Sequence, residues 1–341
     1  MSKRVRLLLL VNWEEKGEWS FYRRIAERFG SVRILQPPLY ARFTNPLWRR
    51  CCIYLSEFYL PLRALCARRS CDIIVSWSMR MGVWYGLLNR LSRSPAAPRH
   101  IIYDFHINPT RADLPYRLRL RLLRLAVPGI DFFLCTSRQE AAQYSGLFAI
   151  SPRKICFFPM TPPPHYLEIE PMPRGEYVLA YGNSDRDYDT LVRAATGLPI
   201  QVIILSQKYL PQAALPGNIS LITRKTVGRD LIDLIAGARF VVLPLSDGAV
   251  SAGQTAMLET MALGRPLIVT DNPATREYAA HNESALFFPA GRADLLKEQM
   301  QRLLEDQGAA EGMGKRARHA SRELPERQVA VFCKVVEQVL S

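Results

Sequence analysis

The sequence lacks any long apolar run. Its longest candidate, residues 51–66, is interrupted by Glu57, Pro61 and Arg63 and falls short of the roughly 20 apolar residues that a membrane-spanning helix needs. The apolar stretch at residues 7–11 is too short for the core of a signal peptide, and no small-residue cleavage site follows it. We therefore expect neither a transmembrane helix nor a cleavable leader.

Paired cysteines are also missing. The seven cysteines form no CxxC pair and show no Cys/His spacing typical of a metal site, and their number is odd. They lie at positions 51, 52, 66, 71, 135, 156 and 333. This usage favours buried, reduced thiols in a cytoplasmic protein.

Acidic residues are scarce in the first half of the chain. Residues 1–170 hold 26 Lys and Arg against 12 Asp and Glu, whereas residues 171–341 hold 19 of each, so the net charge of +14 belongs to the first half. A basic domain can face nucleic acid, anionic lipid or an acidic substrate. Zinc-ligand spacing, an RNP-like aromatic motif and a helix-turn-helix pattern are all missing, so we expect no nucleic-acid partner.

Two segments of the basic half have the pattern of amphipathic helices. Residues 45–69 carry apolar side chains near helical spacing with arginines between them, and residues 114–127 carry arginines on one face and leucines on another. The apolar set of the first segment is Trp48, Cys52, Leu55, Tyr59 and Leu62. Such helices are typical of membrane-surface elements, but an ordinary helix packed on a sheet with a solvated arginine face fits the pattern equally well.

The chain as a whole alternates between strand-like and helix-like segments. Buried parallel strands are predicted at residues 5–11, 32–36, 71–77, 100–105, 130–135 and 155–158, and again at 177–181, 200–205, 219–223, 239–244 and 266–270. Between the two series, residues 159–173 contain six prolines, which break helices and central strands and make a semi-rigid linker. The pattern predicts two Rossmann-like α/β domains.

One strand–loop–helix–strand unit of the second series has the features of a ligand site. The segment SAGQTAMLETMALGRPLIVTD, residues 251–271, follows a strand and opens with a loop of small residues. The backbone N–H groups of such a loop and the dipole of the following helix favour an anion. Glu259 stands on an otherwise apolar helix, where a carboxylate needs a partner and a sugar diol would suit it. A Glu that only complements the helix dipole is the alternative.

This segment resembles the donor-binding signature of GT-B glycosyltransferases of family 4, roughly E-G-F-G-x-x-x-L-E-A-M-A-x-G-x-P-V-I. The stretch LETMALGRPLI matches the second half of that pattern. The resemblance implies that Glu259 holds the ribose hydroxyls of the donor. It places the donor diphosphate on the loop residues Ser251, Gly253, Gln254 and Thr255. In the family, the position of Ser251 holds a Glu that touches the transferred sugar.

The turn after the first strand of the second series, GNSDRDYDTL, is similar to a bacterial subgroup of these enzymes that builds exopolysaccharides. Arg186 lies near the start of the next helix, where a guanidinium can bind a diphosphate in bidentate fashion. The resemblance makes Arg186 the counterpart of the basic residue that binds the donor phosphates. A surface arginine paired with Asp185 or Asp189 is the alternative.

Two residues near the end of the fourth strand are candidates for catalysis. His106 comes just past that strand, and a residue in this place faces the ligand crevice of an open α/β sheet. In the family, a His at the end of a comparable strand contacts the donor sugar. Asp104 alternates to the other side of the strand and is a weaker candidate for a base. A lone His is often structural, and that alternative remains open.

The resemblance implies a GT-B fold, an α/β architecture with two Rossmann-like domains facing a central cleft. Residues 1–158 would bind the acceptor, residues 159–175 would form the linker, and residues 176–324 would bind the nucleotide-sugar, with a helix at residues 325–341 packing back on the first domain. We expect a hexosyltransferase that retains anomeric configuration, uses neither metal nor cofactor and takes a UDP-sugar. The Asp-x-Asp metal motif of GT-A enzymes is missing where they would use it.

The basic, aromatic first half adds an expectation about the acceptor. It predicts a glycan or polyprenyl-linked acceptor at the inner face of the plasma membrane, in surface polysaccharide biosynthesis, with the protein cytoplasmic and peripheral on anionic lipid. Two alternatives remain open. One is a GT-B sugar-nucleotide epimerase. The other is a non-catalytic basic protein that binds membrane or nucleic acid, which the replacement of the family's Glu by Ser251 favours.

Overall fold

The computed structural model describes residues 5–15, 19–37, 46–92, 97–107, 114–173, 175–246 and 252–341. The chain divides into two compact units. The first unit comprises Met1–Pro159 with Pro325–Ser341, and the second comprises Met160–Leu324. Within the described residues, none of the helices combines the length and the apolarity that crossing a bilayer requires.

Over its described residues, the first unit contains a parallel sheet of six strands in the order β2-β1-β3-β4-β5-β6. The strands are β1 (Leu7–Leu10), β2 (Val32–Leu35), β3 (Ile73–Ser78), β4 (Arg99–Asp104), β5 (Phe132–Cys135) and β6 (Ile155–Phe157). All four residues of β1 are buried, because helices cover both faces of the sheet. Leu7 stands opposite both Val32 and Ile73, so β1 lies between its two neighbours in register.

Helices cover the two faces of this first sheet. The helices are α1 (Ser20–Phe29), α2 (Pro46–Ala67), α3 (Met79–Ser92), α4 (Leu114–Ala126) and α5 (Arg138–Phe148). Phe21 of α1 packs with Leu7 and Leu9 on one face, together with Phe332 from the C-terminal helix. Helices α2 and α3 pack against Leu8 and Leu10 on the other face, and α4 and α5 lie beyond them on that face.

Over its described residues, the second unit also contains a parallel sheet of six strands, in the order β12-β11-β10-β7-β8-β9. They are β7 (Tyr177–Tyr181), β8 (Gln201–Leu205), β9 (Ile219–Ile222), β10 (Phe240–Leu243), β11 (Leu267–Thr270) and β12 (Leu286–Phe288). The helices are α6 (Pro164–Glu168), α7 (Tyr188–Ala195), α8 (Arg229–Gly237), α9 (Gln254–Ala262), α10 (Pro273–Arg276), α11 (Ala293–Glu305) and α12 (Gln307–Leu340). Two parallel sheets confirm the predicted α/β class.

Three short elements of the second unit, α6, α10 and β12, were not predicted, and the C-terminal helix is longer than predicted. Strand β12 has only three residues, and α6 is a five-residue helix inside the proline-rich run. Pro164 occupies the first turn of α6, where its missing N–H has no helical partner to lose. Helix α12 begins at Gln307 and contains Pro325, where the boundary between the two units falls.

In the first unit, the backbone at Gly129 packs closely against the backbone of α3 at Gly86, and this contact can be tested. A Cβ atom on Gly129 would lie 2.0 Å from the carbonyl oxygen of Gly86 in α3, whereas a Cβ atom on Gly146 in α5 would meet nothing within 4 Å. Gly129→Ala should therefore lower the free energy of unfolding by about 1–3 kcal/mol through overpacking. Gly146→Ala should raise it by about 0.5–1 kcal/mol, because alanine favours a helix over glycine.

Urea unfolding followed by tryptophan fluorescence measures both effects, since all five tryptophans belong to the first unit. Equal unfolding midpoints for the two variants would contradict the close contact between α3 and the turn at Gly129.

Candidate functional site

The second sheet reverses its strand order between β7 and β10, which are neighbours. Ligands of open α/β sheets bind at such a reversal, outside the carboxyl ends of the strands. Here the turns that follow the two strands are tied together. The N–H of Asp187 donates to the carbonyl of Pro244 at 3.0 Å, and the N–H of Ser246 donates to the carbonyl of Asp185 at 3.0 Å. Arg186 therefore stands beside the turn that follows β10, next to Leu245.

Hydrogen bonds to main-chain carbonyls hold the guanidinium of Arg186. Nε donates to the carbonyl of Tyr181 at 3.1 Å, and Nη1 donates to the carbonyl of Ser184 at 2.8 Å. Burial lowers the pKa of Arg186. Asp189, one of the expected surface partners, instead accepts from the hydroxyl of Tyr209 at 2.7 Å. Backbone carbonyls therefore orient this cation.

The start of α9 lies next to this guanidinium. Gly253 is the N-cap of the helix with φ of 80°, and a Cβ atom there would stand 3.5 Å from Nη1 of Arg186. Glycine has no side chain with which to cap the N–H groups of the first turn, and these groups attract an anion. Gln254 is buried and Thr255 is exposed. Ser251, also predicted for this site, lies outside the described residues.

Glu259 occupies the second turn of α9 and has two phenolic partners. The hydroxyl of Tyr181, at the end of β7, lies 3.2 Å from Oε2 of Glu259, and Tyr166 of α6 also hydrogen-bonds to the carboxyl group. Burial raises the pKa of Glu259 to about 7, although both phenols act to lower it. The carboxyl group is therefore poised between its neutral and charged forms near neutral pH.

The two tyrosines were not predicted from the sequence. Tyr181 is buried, and its hydroxyl also lies 2.7 Å from the carbonyl of Ala256. The sequence feature that could have indicated Tyr181 is its position directly before Gly182, at the end of the first strand of the second series. Tyr166 belongs to the proline-rich run, where no sequence pattern indicates a site residue. The structure thus brings together Arg186, Gly253 and Glu259 and adds two residues to them.

The first unit holds a separate cluster around His106. Nδ1 of His106 lies 2.7 Å from Oε1 of Glu140, whose side chain is fully buried, while the imidazole is about half exposed. Glu140 also accepts from the hydroxyl of Tyr144 at 3.1 Å and from the hydroxyl of Thr136 at 3.2 Å. A buried carboxylate with three such partners fixes the orientation of the imidazole.

Asp104, the other predicted catalytic residue, is electrostatically coupled to this cluster. Burial raises the pKa of Asp104, the nearby His106 lowers it, and Glu140 raises it. Glu140 itself was missed, although Ser137 and Glu140 have the S-x-x-E spacing that marks a helix start. Ser137 does cap α5, but Glu140 reaches His106 and Thr136.

Residues 207–320 match the family described as Glycosyl transferases group 1, and this range includes β10, the start of α9 and Glu259. The matched range lies within the second unit. No curated protein matches the chain significantly in sequence.

Solved structures of glycosyltransferases share the whole fold. A glycosyltransferase from Rickettsia africae aligns with a TM-score of 0.66 at 12% identity, covering 98% of this chain and 99% of the other. A sucrose-phosphate synthase from Thermosynechococcus elongatus gives 0.66 at 16% identity, with 99% of each chain covered. Alr3699/HepE of Anabaena, solved in complex with UDP, gives 0.64 at 11% identity, covering 98% and 100%.

These matches confirm the predicted GT-B glycosyltransferase fold with two Rossmann-like domains. The narrower resemblance to family 4 and the roles of the individual site residues stay predictions.

The crowding around Arg186 predicts a specific effect of one glycine. A Cβ atom on Gly182 would lie 2.5 Å from Nη2 of Arg186, and φ of Gly182 is 120°. Gly182→Ala should displace the guanidinium and weaken nucleoside diphosphate binding by tenfold or more, the equivalent of about 1.4 kcal/mol or more. Isothermal titration calorimetry with UDP measures the change.

Gly197→Ala is the matched control, because Gly197 has φ of 75° and open space around its Cβ position. This variant carries the backbone strain without the clash and should bind UDP as the wild type does. Equal losses of affinity in the two variants would show that strain alone is responsible.

The raised pKa of Glu259 predicts how stability depends on pH. Folding favours the protonated carboxyl, so this contribution to stability is present below about pH 4.5 and is lost as the pH rises through about 7. Between about pH 4.5 and 8, the wild type should lose about 2–3 kcal/mol of unfolding free energy relative to Glu259→Gln, whose amide stays neutral.

Hydrogen exchange of β7 and α9 reports this difference, since no tryptophan lies in the second unit. Glu298→Gln, at an exposed position on α11, is the control and should follow the wild type. Parallel pH profiles for the wild type and Glu259→Gln would refute the prediction.

Proposed function

We propose that the protein transfers a sugar from a nucleoside diphosphate sugar to a glycan or lipid-linked acceptor. One observation carries the proposal: a partly buried, oriented guanidinium stands beside the start of α9, whose N-cap is Gly253, with a carboxyl group one turn further along the same helix. The first two features suit a diphosphate, and the third suits a vicinal diol. A nucleoside diphosphate contains both groups, joined through its ribose.

The donor we propose is a UDP-sugar. The Anabaena protein Alr3699/HepE has been solved with UDP and with UDP-glucose, and it shares the fold over nearly the whole chain. An alpha,alpha-trehalose-phosphate synthase from Burkholderia vietnamiensis, described as UDP-forming, gives a TM-score of 0.64 at 12% identity. These neighbours support a uridine donor for this chain.

The proposed chemistry is electrostatic. As the glycosidic bond to the diphosphate breaks, negative charge develops on the leaving group, and groups already oriented toward it lower the barrier. Arg186 and the N–H groups of Gly253, Gln254 and Thr255 would stabilise that charge without a metal or cofactor. Glu259 would hold the ribose, and His106, oriented by Glu140, would line the sugar. Retention of anomeric configuration rests on the family 4 resemblance.

The proposed acceptor lies at the inner face of the plasma membrane. The excess positive charge belongs to the first half of the chain, where anionic lipid or a polyprenyl diphosphate would be attracted. The protein would then be cytoplasmic, peripheral to the membrane and part of surface polysaccharide biosynthesis.

A thermal-shift panel tests the donor site. A nucleotide present at about 100 times its dissociation constant should stabilise the wild type by about 2.7 kcal/mol. We expect UDP to do so and GDP and ADP to give smaller shifts. Arg186→Ala should lose most of the shift, because the diphosphate loses a charged bidentate donor.

Arg193→Ala is the control, since Arg193 is an exposed arginine on α7 that hydrogen-bonds to Thr190. Its shift with UDP should equal that of the wild type. If none of the nucleotides stabilises the protein, the donor site is refuted. If a UDP-sugar is converted to its epimer with no sugar transferred to an acceptor, the epimerase takes its place.

A further inference from the structure

Helix α2 exposes the apolar side that an ordinary surface helix would bury. Six large apolar side chains along it are between 36% and 69% exposed. They are Trp48, Tyr54, Leu55, Phe58, Tyr59 and Leu62. At 100° per residue they fall within one stripe of the helix, and at 1.5 Å per residue the stripe runs for about 21 Å. We call these six residues the α2 stripe.

The opposite side of α2 explains why the stripe faces outward. Leu60 and Ala64 are fully buried in the core beneath the helix. Glu57 is also buried, where Oε2 lies 3.1 Å from Nε of Arg80 and Oε1 accepts from Asn12 at 3.3 Å. Rotating the helix to bury the stripe would break this ion pair and expose the core leucine. The exposure of the stripe is therefore built into the packing of the helix.

The surroundings of the stripe are strongly basic. Helices α2, α3 and α4 together contain nine arginines, no lysine and one acidic residue, the buried Glu57. Arg63 lies over the ring of Tyr59 at 5.9 Å, and Arg80 lies over the ring of Tyr54 at 4.8 Å. On α4, Leu118 and Leu125 are more than half exposed among exposed arginines, so the same combination continues across this face of the unit.

We propose that the α2 stripe docks into the interface of an anionic lipid bilayer, with the helix lying in the membrane plane. Tryptophan and tyrosine favour the headgroup boundary, leucine and phenylalanine favour the acyl side, and arginine pairs with anionic headgroups. A second copy of the chain fits less well, because a contact between two α2 stripes would bring two basic rims together. Large exposed apolar patches of this kind mark interaction sites in soluble proteins.

The α2 stripe would bring the protein to the membrane face where the proposed acceptor lies. This inference rests on the proposed function only for the reason why the protein would bind a membrane. Docking needs neither donor nor acceptor, so it can be tested without sugar transfer. Binding to vesicles without binding to UDP would refute the donor site and support membrane docking by the α2 stripe. Binding to UDP without binding to vesicles would support the donor site and refute membrane docking.

Vesicle co-sedimentation with the full-length protein is the test. We expect binding to vesicles of equal parts phosphatidylglycerol and phosphatidylcholine, weaker binding to pure phosphatidylcholine, and a decrease as salt rises. Leu55→Glu should lower the partition coefficient by tenfold or more, because a leucine that would be buried in the bilayer is exchanged for an anion that faces anionic lipid.

Leu210→Glu is the matched control, since Leu210, at 84% exposure, is the most exposed large apolar residue among the described residues of the second unit. It makes the same chemical change away from the stripe and should leave the partition coefficient unchanged. Equal losses in the two variants, or no binding of the wild type to anionic vesicles, would overturn the proposal. A wild-type dimer that Leu55→Glu converts to monomer would overturn it in favour of a second copy.

Two native cysteines supply an independent measurement. Cys51 and Cys66 are exposed on the same side of α2 as the stripe, whereas Cys156 and Cys333 are only partly accessible elsewhere in the first unit. Anionic vesicles should slow maleimide labelling of Cys51 and Cys66, read by mass spectrometry, and leave labelling of Cys156 and Cys333 unchanged. Unprotected Cys51 and Cys66 on bound protein would show that another surface makes the contact.

Discussion

The candidate donor site depends on the hydrogen bonds between the guanidinium of Arg186 and the carbonyls of Tyr181 and Ser184. A partly buried arginine needs partners for its donors, and here main-chain carbonyls accept hydrogen bonds from Nε and Nη1. The cation is therefore oriented before any ligand arrives, and part of the ordering cost is met on folding. The glycine at position 182 leaves the space that this orientation requires.

The second unit also shows how a single helix joins two chemical tasks. The start of α9, with Gly253 as its N-cap, suits an anion, and Glu259 in the next turn suits a neutral polar group. Both lie at the reversal of strand order between β7 and β10, because the turns after these strands are hydrogen-bonded to each other. In the first unit, by contrast, the buried Glu140 orients His106 from a neighbouring helix, so the two candidate clusters are built by different means.

The sequence predicted those parts of the structure that follow from local patterns. Continuous apolar runs such as residues 7–10 predicted the buried parallel strands, and the signature around Glu259 predicted the helix that the structure shows as α9. The period of the apolar residues in α2 predicted a helix but could not say which side is buried, since that depends on Glu57, Arg80 and Asn12 from three separate segments. Contacts of this range, like those of Tyr166 and Glu140 with their partners, have no local signal. Strand β12 was missed because three residues are too few to show a period.

The two phenols on Glu259 have a consequence for the sugar of the nucleotide. A carboxylate has about four positions at which its oxygens accept hydrogen bonds. Tyr166 uses one, and Tyr181, whose hydroxyl lies 3.2 Å from Oε2, uses at most one more, because its single proton is shared with the carbonyl of Ala256 at 2.7 Å. At least two positions then remain for the two donors that the vicinal hydroxyls of a ribose supply. A 2′-deoxyribose supplies only one and leaves a buried acceptor unsatisfied, at a cost of about 1–3 kcal/mol. In the proposed site, this count of lone pairs would distinguish ribonucleotides from deoxyribonucleotides without any contact to the base.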